Sequence, residues 1–385
     1  MPNKFSRYHY DAIVIGARCA GAATAMLMAR NGARVLIVDR EQEVRDTLST
    51  HALMRPAVTL LAQWGLLDEI AKATPVVTST HFHYGDEKVS VPIKPDGVAM
   101  GLYSPRRWLL DNVLGQAAVA AWAELRTGTS LVHLIKDIDE RVTGAVLRHP
   151  NGTTQSVSAD IIIGADGRNS TVADHVGAHT IASANERSAT TYTYVEGIPN
   201  EGYLWYFGDK VTAGLIPTTD GAHCLFTSCA PDAFRAWFAK DAFGGAMKML
   251  AMWEPEIATY LSARGPAERI RRFPGAPGHI RQCAGPGWAL VGDAGYFKDP
   301  ATAHGITDAF LDANRLAHAL YETPGDARSY QIERDQTAPT LFELTNKIAS
   351  LEWDFESLKP LHMKLSAHMK SEQDALTFSH SAIAA

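Results

Sequence analysis

The stretch Asp11-Ala12-Ile13-Val14-Ile15-Gly16-Ala17-Arg18-Cys19-Ala20-Gly21 decides how this chain is read. Residues 12–15 are a continuous apolar run that stops at a glycine, the pattern of a central parallel strand buried on both faces. The segment 20–30 is rich in Ala, Leu and Met and reads as a helix. Residues 34–38, Arg-Val-Leu-Ile-Val, form a second buried strand that ends on Asp39. Together they make one βαβ unit with an acid about 20 positions past the glycines, as a dinucleotide site requires. Free N–H groups and the dipole at the helix start hold a pyrophosphate, and Asp39 accepts hydrogen bonds from a ribose. The fingerprint wants glycine at its first, third and sixth positions, and the third is Arg18. An arginine blocks close backbone approach there but can itself reach phosphate. Ala25 and Ala29, one turn apart, let the helix lie close on a sheet.

The chain has 385 residues, enough for a large core and two interleaved domains. Its net charge is −6, without a basic block or stripe, which argues against nucleic-acid binding. Residues 1–10 are polar and carry no apolar core of a secretory signal, and no apolar run is long enough to span a membrane. The cysteines Cys19, Cys224, Cys229 and Cys283 form no Cys-x-x-Cys pair. These features predict a reduced, cytoplasmic protein without a membrane span.

Beyond Arg40 the chain is polar through Asp46, followed by Leu-Ser-Thr-His-Ala-Leu-Met-Arg-Pro at 48–56. Residues 78–84 and 88–92 alternate like strands about a Gly85-Asp86 turn. A helix is expected over 108–123, strands over 131–135 and 142–148, and a hairpin at Asn151-Gly152. Residues 159–163 form another buried strand, running into Gly164-Ala165-Asp166-Gly167. Between 190 and 226 the chain turns rich in Tyr, Trp, Thr and Val, with repeated Gly and Pro turns, which predicts antiparallel strands. The stretch 232–261 reads as helical, broken at Gly244-Gly245 and Pro255. A further buried strand, 288–291, leads into Gly292-Asp293, a helix follows over 304–320, and 327–370 reads as amphipathic helix. The expected fold is α/β. A discontinuous Rossmann-like domain comprises 1–75, 100–180 and 275–325, an inserted antiparallel β-sheet substrate domain 76–99 and 181–274, and a C-terminal helical segment 326–385.

Three buried strands are therefore tipped by acids, at Asp39, Asp166 and Asp293. In an open parallel sheet their ends share one crevice. Here a family resemblance becomes specific. Gly16-Ala-Arg-Cys-Ala-Gly21, Gly164-Ala-Asp166-Gly167-Arg168-Asn-Ser170 and Gly292-Asp293-Ala294, followed by Asp299-Pro300 and His304-Gly305-Ile306-Thr307, resemble the three ordered motifs of the flavoprotein monooxygenases typified by para-hydroxybenzoate hydroxylase. That superfamily also takes in flavin-dependent halogenases and geranylgeranyl reductases.

The resemblance implies FAD as cofactor. Gly16, Arg18, Cys19, Ala20 and Gly21 would border the pyrophosphate, Asp39 and Arg40 the adenosine ribose, and Gly292-Asp293 the ribityl chain. Arg107 and Arg55 match two family arginines that contact FAD, and Asp166 lies in a turn placed near both FAD and the reductant. Pro300 belongs to the loop before the helix whose Gly305, Ile306 and Thr307 N–H groups face flavin N1 and C2=O. A positive helix end there stabilises anionic reduced flavin. NADPH or NADH would be the transient reductant, since no second glycine fingerprint exists. The first expectation is a monooxygenase that takes up O₂ at flavin C4a as a hydroperoxide and inserts one oxygen into an aromatic or polycyclic small molecule. Tyr192, Tyr194, Tyr203, Trp205, Phe207, His81 and His83 are candidate linings of a dry substrate cavity. Within each strand they alternate, which places several on one face. His304 and His51 are candidate acid–base groups, because imidazole titrates near neutrality. Gly202-Tyr203-Leu-Trp205-Tyr-Phe207 is similar to a geranylgeranyl reductase motif and keeps open a reductase of C=C bonds. Asp299-Pro300 with Gly305 is closer to halogenases, and a non-redox cyclase using FAD as scaffold is a further alternative. The protein is expected to act as a monomer or homodimer.

Overall fold

The computed structural model describes residues 9–383, with side chains through 376; the polar stretch 1–8 and the last two residues of the C-terminal segment lie outside the described residues. The architecture is mixed α/β: a parallel Rossmann-like sheet, two further sheets and C-terminal helices.

At its centre His9–Ile15 pairs in parallel with Val35–Val38 on one side and with Thr154–Gly164 on the other. Glu124–Arg126 extends the sheet beyond Val35–Val38, and Trp288–Leu290 extends it beyond Thr154–Gly164. Ala12, Ile13, Val14, Leu36 and Ile37 have no accessible surface, because helices cover both faces of these strands. Cys19–Arg30 packs against both Arg107–Ala120 and Gly305–Glu322. Its Ala22, Ala23 and Ala25 are fully buried, and only small side chains let three helices and a sheet meet so closely. The strand ends are stitched across: Gly16 N–H donates to Val38 O, Ala165 N–H to Ile15 O, and Val291 N–H to Gly164 O. Four strand ends thus finish level and open onto one crevice.

The second sheet orders its seven strands as Arg271–Phe273, Ala189–Val195, His223–Cys229, Val211–Pro217, Tyr203–Gly208, Ser79–Tyr84 and Glu87–Pro92. All neighbours are antiparallel except Tyr203–Gly208 with Ser79–Tyr84, where Tyr203 lies opposite Thr80. The two-residue period divides its faces. Leu204, Tyr206, Leu215 and Leu225 pack beneath the helices Phe234–Phe238, Ala242–Leu250 and Pro255–Arg264. Tyr192, Tyr194, Tyr203, Trp205, Phe207 and Phe226 face the other way and join the main core.

Two local expectations are corrected. Gly244 and Gly245 sit inside the helix Ala242–Leu250 and do not break it. A Cβ on Gly245 would collide with the Trp237 carbonyl oxygen, so this glycine serves close packing. The chain breaks just before, where the Asp241 carboxylate accepts from Gly244 N–H at 2.9 Å and caps the new helix. The C-terminal helix is likewise two, Arg328–Ala349 and Phe355–Ile383, separated by a bend in which buried Leu351 takes φ +57°.

Candidate cofactor and substrate site

The glycine turn is built for an approach that a side chain would block. Gly16 has φ +105°, and a Cβ there would strike Ala165 O; one on Gly21 would strike Gly16 O. The Asp39 carboxylate accepts from Ala17 N–H at 2.8 Å and from Glu41 N–H at 2.9 Å, so it braces the turn it borders. Beside them opens a cavity of ≈ 380 Å³ lined by Ala17, Arg18, Asp39, Asn112, Gly115 and Gln116, among others. Arg18 borders this space at the start of the helix, and its charge also faces Asp111.

Arg107 is buried against Cys19. Its guanidinium pairs with Asp111 at 3.1 Å and donates to Cys19 Sγ at 3.4 Å, which ties Arg107–Ala120 to the glycine turn. Asp293, just past the end of Trp288–Leu290, is exposed. Protein packed around the carboxyl strips part of its water and pushes it above the usual range, while Lys298, Arg107 and Arg168 draw it back. Gly292 N–H donates to buried Asp312 at 3.0 Å, holding Asp293 at the strand end. A Cβ on Gly305 would meet nothing within 4 Å, so the first turn of Gly305–Glu322 faces open space. Ile306 and Thr307 are buried behind it, and Thr307 Oγ1 accepts from Met54 N–H at 3.3 Å. The cradle, the accessible carboxylate and the open helix start fit an FAD laid along the crevice.

Other predicted contacts lie elsewhere. Arg55 donates to the carbonyls of Lys94, Ala99 and Gly101 and pairs with Asp96 at 3.6 Å, clamping the loop before the 107–120 helix. Arg40 points into solvent with its side chain 83% exposed. Asp166 accepts from Ser170 Oγ at 2.5 Å and from Thr171 N–H at 2.7 Å, so it holds the start of the helix Thr171–Val176.

His304 is fully buried between two carboxylates. Nδ1 lies 3.0 Å from Asp308 Oδ1, and Nε2 lies 3.1 Å from Glu372 Oε2 on the C-terminal helix. Lys298 pairs with the second oxygen of Asp308. Burial raises the Glu372 carboxyl, but His304 and His368 more than offset that and hold it well below its ordinary value. Nothing local in the sequence links residue 304 with 372.

A small pocket of ≈ 20 Å³ lies between the second sheet and the C-terminal helices. Tyr192, Trp205, Phe207 and Phe226 line it, together with Pro300 and Leu351. Hydroxyls line it too: Thr190 Oγ1 lies 2.8 Å from Ser228 Oγ and 3.4 Å from Ser188 Oγ. Ser188 donates through both N–H and Oγ to buried Asp299, whose carboxyl burial raises to about 6. Tyr203 shares this face, and its hydroxyl donates to Tyr103 O at 2.7 Å. His81 and His83 occupy the opposite face; His81 bonds Ser79 and Ser90, and His83 packs on Tyr206 at 4.7 Å. Among the described residues, the buried non-glycine residues with positive φ are His51, Ala303 and Leu351. Each lies within two residues of this cavity's lining, and backbone strain held in place this way concentrates at functional sites.

His51 is part of a chain that sequence reasoning did not find. Its Nε2 lies 2.6 Å from Tyr194 OH, which donates to Asp46 Oδ2 at 3.3 Å. Arg106 donates to the same carboxylate and stacks over the Tyr194 ring at 3.9 Å. In sequence the run at 41–46 is simply polar, and only the fold turns Asp46 inward.

Comparison with known proteins agrees with this geometry. A family model described as an FAD binding domain matches residues 9–343. A digeranylgeranylglycerophospholipid reductase of Methanosarcina mazei is 28% identical over 84% of this chain and 78% of its own length. PqsL, a probable FAD-dependent monooxygenase from Pseudomonas aeruginosa, superposes with a TM-score of 0.78 at 20% identity, covering 92% of this chain and 99% of its own. Aklavinone-11 hydroxylase in complex with FAD and aklavinone gives 0.74 at 20% identity, covering 92% and 71%. None of the described helices is long and apolar enough to cross a membrane. A glycine cradle, an acid at each of three level strand ends and a family match over most of its length lead to one conclusion: the chain belongs to the FAD binding domain family and is an FAD-dependent oxidoreductase.

Proposed function

We propose that the protein is a monooxygenase acting on an aromatic or polycyclic small molecule, with NADPH or NADH as transient reductant and O₂ as co-substrate. The observation that carries this reading is the small pocket under the second sheet. One wall is aromatic, another is a ladder of hydroxyls, and strained buried backbone surrounds it. Such a wall accepts a planar ring and orients its polar substituents. Substrate entry requires the cavity to widen, and Ile348 and Leu351 form the wall that the C-terminal helices supply.

Bound FAD supplies the redox chemistry, storing two electrons and reacting with O₂ when reduced. The chain's residues do the rest. The Gly16–Gly21 turn receives the pyrophosphate and Arg18 adds positive charge to it. Asp39 meets the adenosine ribose and Asp293 the ribityl hydroxyls. The N–H groups of Gly305, Ile306 and Thr307 stabilise negative charge on the flavin edge. The aromatic sheet and the 348–351 bend exclude water.

A second reading, reduction of a C=C bond, is favoured by the sequence relatives that carry reductase names. One experiment separates them. The flavin is reduced anaerobically in the holoenzyme and mixed rapidly with O₂ in the presence of candidate aromatic compounds. A transient absorbance distinct from oxidised and reduced flavin is the expected result. Monophasic reoxidation under every condition would overturn the monooxygenase reading in favour of the reductase.

A further inference from the structure

The last helix brings a histidine and a carboxylate against buried His304. His368 and Glu372 stand one turn apart on Phe355–Ile383 and so share a face. Glu372 Oε2 lies 3.1 Å from His304 Nε2, and Glu372 Oε1 lies 3.5 Å from His368 Nε2. Neither approach is a hydrogen bond. His304 Nε2, His368 Nε2 and Glu372 Oε2 are buried atoms that have no hydrogen-bond partner among the described residues. The cations nearby are matched to other acids: Lys298 pairs with Asp308, and Arg334 with Asp335 at 3.0 Å. Among the described residues, the ion pairs of Glu372 are with imidazoles only.

His304 is oriented as a ligand. Its Nδ1 lies 3.0 Å from Asp308 Oδ1, and Lys298 holds the other oxygen of that carboxylate, so Asp308 only accepts. The ring proton therefore sits on Nδ1, and the neutral ring turns a bare Nε2 lone pair toward Glu372. A carboxylate that fixes a histidine tautomer from behind is a recurrent feature of metal sites. Two acceptors 3.1 Å apart repel each other unless a cation lies between them. The spacing separates a metal from a bridging water. Two ligands about 2.1 Å from one tetrahedral zinc stand roughly 3.4 Å apart. Two acceptors that share a water at about 2.8 Å stand roughly 4.4 Å apart. The observed 3.1 and 3.5 Å fit the metal. One ligand atom each from His304, Asp308 and Glu372 lies within 4.8 Å of the others. Asp308, His368 and Glu372 also line a pocket of ≈ 10 Å³, about the space of one small ion.

We propose that His304 Nε2, His368 Nε2 and the Glu372 carboxylate bind one divalent transition metal of the zinc class, which fastens the last helix to the start of Gly305–Glu322. Two imidazoles and a carboxylate suit such an ion, and water takes the fourth position. His368, with its side chain 14% exposed, gives the ion a way in. The site stands whether the flavin serves an oxygenase or a reductase.

The test uses the FAD-loaded full chain, stripped with EDTA and titrated with zinc chloride by calorimetry. The expected result is one zinc per chain, with a melting temperature that zinc raises and EDTA lowers again. His368→Asn and Glu372→Gln should each weaken zinc binding by about 10–100-fold or more and abolish the thermal effect. No zinc uptake by the wild-type protein overturns the proposal. So does uptake that both variants leave unchanged, because that zinc sits on surface histidines. If Glu372→Gln does not fold, His368→Asn at its partly exposed position decides the question by itself.

Discussion

Asp293 shows how one residue divides its work between fold and function. The Gly292 N–H bond to Asp312 fixes the backbone, which frees the neighbouring carboxylate for the crevice. Asp293→Ala is expected to weaken FAD binding by about 1–3 kcal/mol, the worth of hydrogen bonds to a charged group. Flavin fluorescence titration of the apoprotein measures it, and an unchanged dissociation constant would reject the ribityl assignment. Arg18 stands where the fingerprint wants glycine, and it lines the large cavity beside the glycine turn. Arg18→Gly should weaken binding by about 1 kcal/mol. Tighter binding would show that the side chain only obstructs. The carboxylate at Asp166 looks equivalent to Asp293 in sequence. The fold spends it on capping a helix, because the turn after that strand brings Ser170 and Thr171 back onto it.

Among the elements, the C-terminal helix Phe355–Ile383 carries the least obvious role. Its Glu372 reaches the ring of His304, the residue just before the start of Gly305–Glu322. Tyr84, Phe82 and Phe207 of the second sheet meet its His362, with Tyr84 OH 2.7 Å from Nδ1. The helix thus ties the second sheet to the residue that precedes Gly305–Glu322. Breaking one partner of a buried pair costs about 3–5 kcal/mol, and Glu372→Ala should lose about that much stability. Thermal unfolding together with limited proteolysis at 350–354 checks this, and an unchanged melting temperature would show that the helix is held without the pair. The Glu372 carboxyl is depressed in the folded state, so its contribution is present above the ordinary carboxylate range and fades as pH falls. The glycine turn is the other sensitive element. Gly21→Ala forces a methyl into Gly16 O and should yield protein purified without flavin, read from its visible absorbance.

For the whole molecule, the buried titratable groups make a pH profile. Burial lowers His51 to about 3, from an ordinary 6.5. The native state keeps the ring neutral while the unfolded chain takes up a proton below 6.5, so stability is full above that value and declines as pH falls. Between pH 7.5 and 5.5 this group alone removes ~1.4 kcal/mol. Urea unfolding at the two pH values should show the loss, and His51→Gln should reduce it by about that amount. A dependence identical in the variant would mean that His51 is protonated in the native protein.

The amino-acid order by itself determined the local patterns. A four-residue apolar run ending on glycine reads as a buried strand feeding a tight turn, and alternation at 192–194 and 203–207 places those rings on one face of a strand. The acid-tipped strands and the glycine cradle were legible for the same reason: each is encoded within about 25 residues, the span of one βαβ unit. Only the tertiary structure decided what the histidines do. His51 meets Tyr194 across 143 positions, and Tyr194 meets Asp46 across 148. Glu372 finds His304 only because a bend at 350–354 folds the last helix back. Such contacts join side chains from elements that carry no shared period or spacing. Their direction is set by packing between layers, and packing is a property of the assembled chain.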